Sequence, residues 1–168
     1  MREGVWFTTI GTSPHAISNG ILAAYLAGEW CPTHVVCFSL MPPEDLVDER
    51  VKMNLDNSFD AFKSWLKRFK EVLNRDVELI PISCDEDNYE GYRKDLRGML
   101  EHYHDKPKAM DITPGRKFAS AIMMQEGIRA GADAIFYLHL LDEAYQQQPL
   151  LNIPAVYQRL VDLKREVQ

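Results

Sequence analysis

The sequence predicts an α/β fold, a doubly wound and mainly parallel sheet of five or six strands with helices on both faces. Short runs of β-branched and aromatic residues alternate with longer segments of helical spacing, as is typical of βαβ units. The length of 168 residues suits one domain, so residues 1–168 are expected to form a single Rossmann-like domain. Hydrophobic residues make up 46% and charged residues 26%, which is the composition of a globular protein rather than a disordered one.

Strands are predicted where β-branched and aromatic residues cluster, and helices where apolar residues recur every three or four positions. The predicted strands, in chain order, are Gly4–Ile10, Thr33–Leu40, Val77–Ile82, Ala109–Ile112 and Ala134–Leu140. The predicted helices are His15–Gly28, Glu44–Asn74 with a break, Asn88–Tyr103, Gly115–Ala130 and a closing helix at Ile153–Glu166. Gly28 and Gly131 stand where helix C-caps are expected, and they support this assignment.

A sheet of this kind has the expected strand order 3-2-1-4-5, so the winding reverses between strands 1 and 4. Ligands bind in the crevice at such a reversal, beyond the carboxyl ends of the strands. Two distinctive loops border it: residues 10–15 read Ile-Gly-Thr-Ser-Pro-His, and residues 111–117 read Asp-Ile-Thr-Pro-Gly-Arg-Lys. The segments Met41–Glu44 and Asp85–Asp87 mark exposed loops after strands 2 and 3.

Each of the two loops places a hydroxyl residue directly before a proline near the predicted start of a helix. Ser13 precedes Pro14 and Thr113 precedes Pro114, a pattern that predicts an N-cap followed by proline in the first turn. Helix capping alone would explain either loop taken singly. Because the predicted topology brings both helix N-termini to one crevice, their free N–H groups and dipoles together favour an anion site.

The second loop also carries a glycine and two cations. Gly115 permits close approach of the backbone to a ligand. Arg116 and Lys117 lie in the predicted first helical turn, where the helix dipole disfavours positive charge, and a bound phosphate would compensate for this. The alternative for Lys117 is a solvated surface lysine, and Arg116 could equally point away from the crevice.

Charge and cysteine content exclude several classes of function. The 19 Lys and Arg residues against 25 Asp and Glu residues give a net charge of −6, which disfavours a long nucleic acid as a partner but allows a small anionic ligand. Cys31, Cys37 and Cys84 form no CxxC pair, so neither a disulfide framework nor a zinc site is expected, and a cytoplasmic setting fits best. Neither a signal peptide nor a membrane span is expected, and no metal or cofactor is implied.

The two loops together resemble those of the CRISPR-associated Rossmann fold (CARF) family. The turn Gly11-Thr12-Ser13 follows the first strand, and the run Asp111–Lys117 follows the fourth. In that family the second loop typically reads as a Thr-Gly/Pro-Gly-Thr/Arg-Lys run followed by small residues and Met, and here Phe118–Ala121 follows. The resemblance covers nearly the whole chain in architecture but about a dozen residues in sequence, and Pro114 stands where many relatives have glycine.

This resemblance implies a homodimer that binds a cyclic oligoadenylate, the messenger of type III CRISPR antiviral defence, across its two-fold axis. Cyclic tetra-adenylate has the matching symmetry, and each subunit would serve one half of the ring. A stand-alone domain resembles the ring nucleases, which cut the messenger and switch the response off. The alternatives are a CARF sensor or sponge that holds the ring uncut and regulates a partner effector, and, outside the family, a nucleotide- or sugar-phosphate-binding α/β enzyme.

A ring nuclease needs neither a metal nor a general base, because each ribose 2′-OH can attack the adjacent phosphate and release a 5′-OH. By resemblance, Ser13 and Lys117 match the catalytic serine and lysine of the family. Lys117 would stabilise charge on the phosphoryl oxygens and Ser13 would orient the scissile group. The expected ligand-binding residues are Gly11, Thr12, His15, Thr113, Pro114, Gly115, Arg116 and Tyr145.

Two of these expected contacts have an alternative interpretation that involves no ligand. His15 is a candidate proton donor to the leaving 5′-O, or an ordinary histidine at a helix start. Tyr145, with Gln146–Gln148 and Asn152, offers stacking and amide hydrogen bonds for an adenine, or belongs to an exposed polar loop. The spacing from Arg97 to His102 and His104 matches that of helical ribonucleases, but we interpret this segment as one amphipathic crossover helix.

Overall fold

The computed structural model describes residues 1–42 and 49–166, apart from the side chain of Glu166. The strands are β1 Arg2–Thr9, β2 Trp30–Met41, β3 Glu78–Asp85, β4 Lys108–Asp111, β5 Ala134–Leu140 and β6 Gln158–Asp162. The helices are α1 Ala16–Leu26, α2 Glu49–Leu73, α3 Tyr89–His102, α4 Lys117–Arg129 and α5 Leu163–Glu166. Three 3-10 turns, Glu143–Tyr145, Leu150–Asn152 and Ala155–Tyr157, connect β5 to β6.

The strands form one six-stranded sheet in the order β3-β2-β1-β4-β5-β6. Strands β1 to β5 are parallel, whereas β6 pairs antiparallel with β5. The predicted α/β class and the predicted order of the first five strands are therefore confirmed. The winding reverses at β1, which pairs with β2 on one side and β4 on the other, so the carboxyl ends of β1 and β4 are neighbours.

Apolar side chains of the sheet alternate between two core layers, one on each face. On the face covered by α3 and α4, Phe7 and Phe38 pack with Leu96 and Met123. On the face covered by α1 and α2, Trp6 and other large side chains form the second layer, which includes Ile21, Trp30, Phe62 and Phe136. Strand β1 is buried from Gly4 to Thr9, and its centre is the apolar run Val5-Trp6-Phe7. Each fully buried large side chain stabilises the fold by about 1.5–3 kcal/mol.

Helix α2 is more regular than the sequence pattern predicted. It runs without interruption over Glu49–Leu73, so the predicted break is absent from this range. Its buried residues recur every three or four positions, which makes a single stripe facing the sheet. The predicted start of the helix at Glu44, and the Pro43-Glu44 part of the predicted loop, lie outside the described residues.

The two predicted helix stops are confirmed. Gly28 follows α1 with φ of 70° and Gly131 follows α4 with φ of 68°. A Cβ atom at either position would meet no neighbour within 4 Å. The requirement for glycine is therefore the left-handed backbone that ends each helix and turns the chain into the next strand.

The predicted closing helix at Ile153–Glu166 is wrong for most of its length. Apolar residues recur there at helical spacing, but one of them, Val156, is 73% exposed. Pro154 instead begins a 3-10 turn, and residues 158–162 pair with the free edge of β5. The side chain of Asp162 accepts hydrogen bonds from the backbone N–H of Ile135 and of Lys164, so the only α-helix in this segment is the last turn, α5.

Candidate functional site

The two distinctive loops meet at the carboxyl ends of β1 and β4. The hydroxyl of Thr9, the last residue of β1, donates to the carbonyl of Pro114 at 2.8 Å. A Cβ on Gly11 would lie 2.8 Å from the backbone nitrogen of Gly115. Gly115 itself has φ of 89°, and a Cβ there would overlap the Thr9 hydroxyl. Both glycines are therefore required for the loops to touch, whatever they bind.

The predicted hydroxyl caps are wrong, because each hydroxyl is used by another part of the chain. Helix α1 begins at Ala16 with His15 at the N-cap, and α4 begins at Lys117 with Arg116 at the N-cap. Ser13 donates its hydroxyl to the carbonyl of Gln146 at 2.9 Å. In the other loop, Thr113 Oγ1 accepts the N–H of Leu138 in β5 at 2.8 Å.

This arrangement leaves the two helix N-termini open. Neither N-cap residue, His15 or Arg116, makes a side-chain hydrogen bond to the first turn of its helix. The first-turn N–H groups carry the positive ends of the two helix dipoles. Both helices follow loops that meet at the switch point, so the physical basis of the predicted anion site is present although the predicted caps are not.

The loops border two depressions. A crevice of about 170 Å³ is lined by Gly11, Thr12, Gly115 and Arg116, with Glu86 from the loop after β3. A side pocket of about 240 Å³ has a different lining, which includes Ser13, Asn19, Thr113, Tyr137 and Gln146. Each loop contributes to both depressions. The predicted ligand-binding residues do not form one cavity, because some line the crevice, Thr113 lines the side pocket, and His15, Pro114 and Tyr145 line neither.

The two cations of the second loop have different surroundings. Arg116 forms an ion pair with Glu86, in which Nε and Oε1 are 2.6 Å apart. Lys117 is exposed, and within the described residues it has no hydrogen-bond or ion-pair partner. It lines neither depression. Lys117 therefore stands at the start of α4 with its charge facing solvent, whereas the charge of Arg116 is already compensated by the protein.

A segment that follows β5 is held against the first loop and α1 by one residue of each, Ser13 and Asn19. Ser13 holds the carbonyl of Gln146, as described above. Asn19 donates to the carbonyl of Gln148 at 2.9 Å and accepts the N–H of Leu150 at 2.8 Å. We call residues 142–152 the strap. Asn19 is 5% exposed and was missed by sequence reasoning, although a polar amide on the apolar side of a helix is the signal of such a contact.

The strap carries the residues predicted to recognise adenine. The ring of Tyr145 stacks on Tyr157 with centroids 5.4 Å apart, so one face of this ring is already covered. Gln146 and Gln148 contact the rest of the protein through backbone carbonyls, and both side chains are exposed, as is Asn152. His15 is half-buried, and its carbonyl accepts the hydroxyl of Ser18.

A buried carboxyl group, Asp111, lies beneath the second loop, and sequence reasoning did not single it out as a site residue. Its side chain is fully buried and accepts hydrogen bonds from the Thr8 hydroxyl at 3.2 Å and the Thr113 N–H at 3.0 Å. Burial raises the pKa of Asp111 to about 7, although the bonds from Thr113 and Thr8 oppose this shift. Gly20 of α1 allows the close packing, because a Cβ there would lie 2.9 Å from Asp111 Oδ2.

The Arg97 segment takes part in an ion-pair cluster on the outer side of α3 and α4. Arg97 donates through Nε and an Nη to Glu126, at 2.8 and 2.9 Å, and Arg129 donates to the same carboxylate. Glu126 is 3% exposed, and hydrogen bonding to Arg97 lowers its pKa.

Across residues 1–42 and 49–166, no group of three or more His, Cys, Asp or Glu side chains could hold a metal ion. Over the same residues, no helix is long and apolar enough to cross a membrane.

The sheet order, the antiparallel sixth strand and the two apposed loops define a Rossmann-like domain. No family model matches the sequence, and a comparison with curated proteins finds no match. Two solved structures with similar folds are Can2 from Sulfobacillus thermosulfidooxidans in complex with cyclic tetra-adenylate, and Enterococcus italicus Csm6 bound to cyclic hexa-2′-fluoro-hexa-dAMP. At this level of sequence identity the two similarities show the fold alone, and this fold agrees with the CARF-like fold expected from the two loops.

Both structural similarities cover nearly the whole of this chain at low sequence identity. Can2 gives a TM-score of 0.53 at 15% identity over 96% of this chain, and Csm6 gives 0.61 at 14% identity over 99%. The chain spans 34% of the length of Can2 and 44% of that of Csm6. It therefore corresponds in fold to less than half of each of these proteins.

Proposed function

We propose that this chain binds a cyclic oligoadenylate, with cyclic tetra-adenylate as the expected ring. The observation that carries the proposal is that two touching loops at the switch point of a CARF-like sheet lead into two uncapped helix N-termini, the second of which bears the exposed Lys117. Helix N-termini and a lysine are suited to phosphate oxygens, and a ring of nucleotides presents several of them. Can2 and Csm6, which share the fold, are seen with ligands of this kind.

The proposed assembly is a homodimer with the ring on its two-fold axis. In an isologous dimer each subunit presents the same two loops, so a four-fold ring meets two equivalent sets of contacts. Gly11 and Thr12 of the first loop, and Thr113–Lys117 of the second, would contact the phosphates and riboses. The strap carries Tyr145 next to these loops, and the uncovered face of its ring is available to a base.

We further propose that the ring is cut by attack of a ribose 2′-OH on the adjacent phosphorus. The 2′-O to phosphorus bond forms as the bond to the 5′-O breaks. The proton of the 2′-OH passes to water, the leaving 5′-O takes up a proton, and the products are a 2′,3′-cyclic phosphate and a 5′-OH. Lys117 and the backbone N–H groups of residues 115–117 would stabilise the additional charge on the phosphoryl oxygens. The Ser13 hydroxyl donates a hydrogen bond to the carbonyl of Gln146, so its oxygen remains free to accept a hydrogen bond from the 2′-OH and orient it. His15, at the N-cap of α1, is the candidate proton donor to the leaving 5′-O.

A second candidate function is binding without cleavage. It is favoured by the internal contacts of Ser13 and Arg116, because two of the polar side chains at the site already have protein partners. A ring held by Lys117 and backbone N–H groups alone would bind without being forced into line for attack. In this case the chain would be a sensor or a sponge that regulates a partner effector.

The two candidates are separated by one assay, in which the purified protein is incubated with radiolabelled cyclic tetra-adenylate in EDTA and the products are resolved. For a ring nuclease we expect linear products that end in a 2′,3′-cyclic phosphate. For a sensor we expect an intact ring in a complex with shifted mobility. Cyclic hexa-adenylate in parallel tests ring size. Failure of both rings to bind would refute the proposal.

A matched pair of lysine variants tests the site. Lys117→Ala should abolish cleavage and weaken binding of the ring. Lys67→Ala removes the same charge from an exposed position near the far end of α2, and it should behave as the wild type. Equal activity of the two variants would exclude Lys117 from the mechanism.

A further inference from the structure

The crevice contains a carboxylate, although its other features favour anions. Glu86 lines it together with Gly11, Thr12, Gly115 and Arg116. The side chain of Glu86 is 15% exposed, whereas that of its partner Arg116 is 59% exposed. A carboxylate in this position repels any phosphate that enters the crevice.

Backbone hydrogen bonds hold the loop that carries Glu86 in place. The N–H of Glu86 donates to the carbonyl of Met41, the last residue of β2, at 2.8 Å. The next turn is closed by a hydrogen bond from the N–H of Asp87 to the side chain of Asp85. Glu86 therefore enters the crevice from a loop that is anchored on both sides, and Arg116 reaches it from the loop after β4.

The ion pair between Glu86 and Arg116 neutralises the positive charge that a phosphate ligand would use. Within the second loop, Arg116 is the cation that lines the crevice, and its Nε points to Glu86 Oε1 at 2.6 Å. A guanidinium binds a phosphate through the same N–H groups that it uses for a carboxylate. An incoming phosphate that binds the Nε edge of Arg116 must therefore compete with Glu86 for it.

We infer that Glu86 is an internal competitor, which occupies the arginine of the site until a ligand with several phosphates displaces it. This inference rests on the proposed function. A single phosphate gains little by the exchange, because one ion pair replaces another. A cyclic oligoadenylate also contacts the helix N-termini and Lys117, and these contacts supply the additional binding energy that the exchange requires. Glu86 thus lowers the affinity for every anion and selects those that bind at several points.

The opposite role for Glu86 makes the opposite prediction. If Glu86 served to position Arg116 for the ligand, its removal would leave the arginine disordered and weaken binding. As a competitor, its removal strengthens binding. The sign of the change therefore decides between the two roles.

The test uses 2′-fluorinated cyclic tetra-adenylate, which lacks the attacking hydroxyl and cannot be cut by this route. Glu86→Gln keeps the shape of the side chain and removes its charge, and we expect roughly tenfold tighter binding. Asp87→Asn is the matched control, because it removes the same charge from the neighbouring exposed position, and we expect a change of less than about twofold. In an Arg116→Ala background the gain from Glu86→Gln should largely disappear.

The outcomes separate this inference from the proposed function. Binding that is unchanged or weaker in Glu86→Gln would overturn the inference and leave the proposed function standing. A gain that persists in full without Arg116, or that Asp87→Asn reproduces, would likewise overturn it. Failure of the wild type and all variants to bind the ring would refute the proposed function, and the inference with it. Thermal unfolding of each variant without ligand establishes that it is folded.

Discussion

Replacing Asp111 with asparagine should remove a pH dependence of stability that this carboxyl imposes on the fold. Asp111 is fully buried beneath the second loop and accepts hydrogen bonds from Thr8 and Thr113. Asparagine has nearly the same shape, retains an oxygen for the Thr113 N–H and can donate to the Thr8 hydroxyl. The variant therefore preserves the contacts and removes the titration.

The magnitude follows from the pKa of about 7 in the folded protein and the ordinary value of 3.8. Between these values the folded protein retains a proton that the unfolded chain has lost, so the free energy of unfolding falls as pH rises. From pH 5 to pH 8 the loss attributable to Asp111 is about 2.6 kcal/mol. The loss of unfolding free energy caused by Asp111 is largely complete above pH 7 and largely absent below pH 4.

The assay is urea unfolding of the wild type and Asp111→Asn at pH 5 and pH 8, followed by the fluorescence of the buried residues Trp6 and Trp30. Carboxyls with lowered pKa, such as Glu126, affect both proteins equally and cancel in the difference. We expect the variant to gain about 2.6 kcal/mol relative to the wild type between the two pH values. A difference in unfolding free energy that stays constant with pH would show that Asp111 does not have a raised pKa in the folded protein.

Three further predictions concern the loops and the strap. Gly115→Ala should lower the free energy of unfolding by about 2 kcal/mol or more, because of the positive φ and the overlap with Thr9. The control Gly98→Ala, on the exposed face of α3, should instead raise it by up to about 1 kcal/mol. Urea unfolding measures both changes. Asn19→Ala should expose the strap to proteolysis, as mapped by mass spectrometry of the fragments, and intact protection would contradict its fastening role. Ser13→Ala should slow cleavage of radiolabelled cyclic tetra-adenylate in EDTA and keep some binding of the ring, and an unchanged rate would exclude an orienting role for Ser13.

Most of the fold could be predicted because its signals are local. Apolar runs placed β1 to β5 within a few residues of their observed ranges, and Gly28 and Gly131 marked the left-handed ends of α1 and α4. The doubly wound arrangement expected for alternating strands and helices has the observed order of the first five strands. The end of the chain was mispredicted because helical spacing of its apolar residues competes with the free edge of β5, and that edge exists only in the assembled sheet.

The two loops at the switch point were also predictable, because motif and topology point to the same crevice. Their internal contacts were not. The partner of Ser13 is 133 residues away in sequence, and Glu86 and Arg116 are 30 residues apart on different loops. A hydroxyl before proline is compatible with capping or with a distant carbonyl, and the choice depends on which backbone group the fold brings within reach.

Turns and periodicity depend on neighbouring residues, so the alternation of strands and helices, the ends of the helices and the two loops at the switch point are predictable from the amino-acid sequence. The burial of Asp111, the hold of Asn19 on the strap and the pairing of Arg116 with Glu86 are not. Burial, charge pairing and long-range hydrogen bonds depend on distances between remote segments, and these distances exist only once the chain has folded.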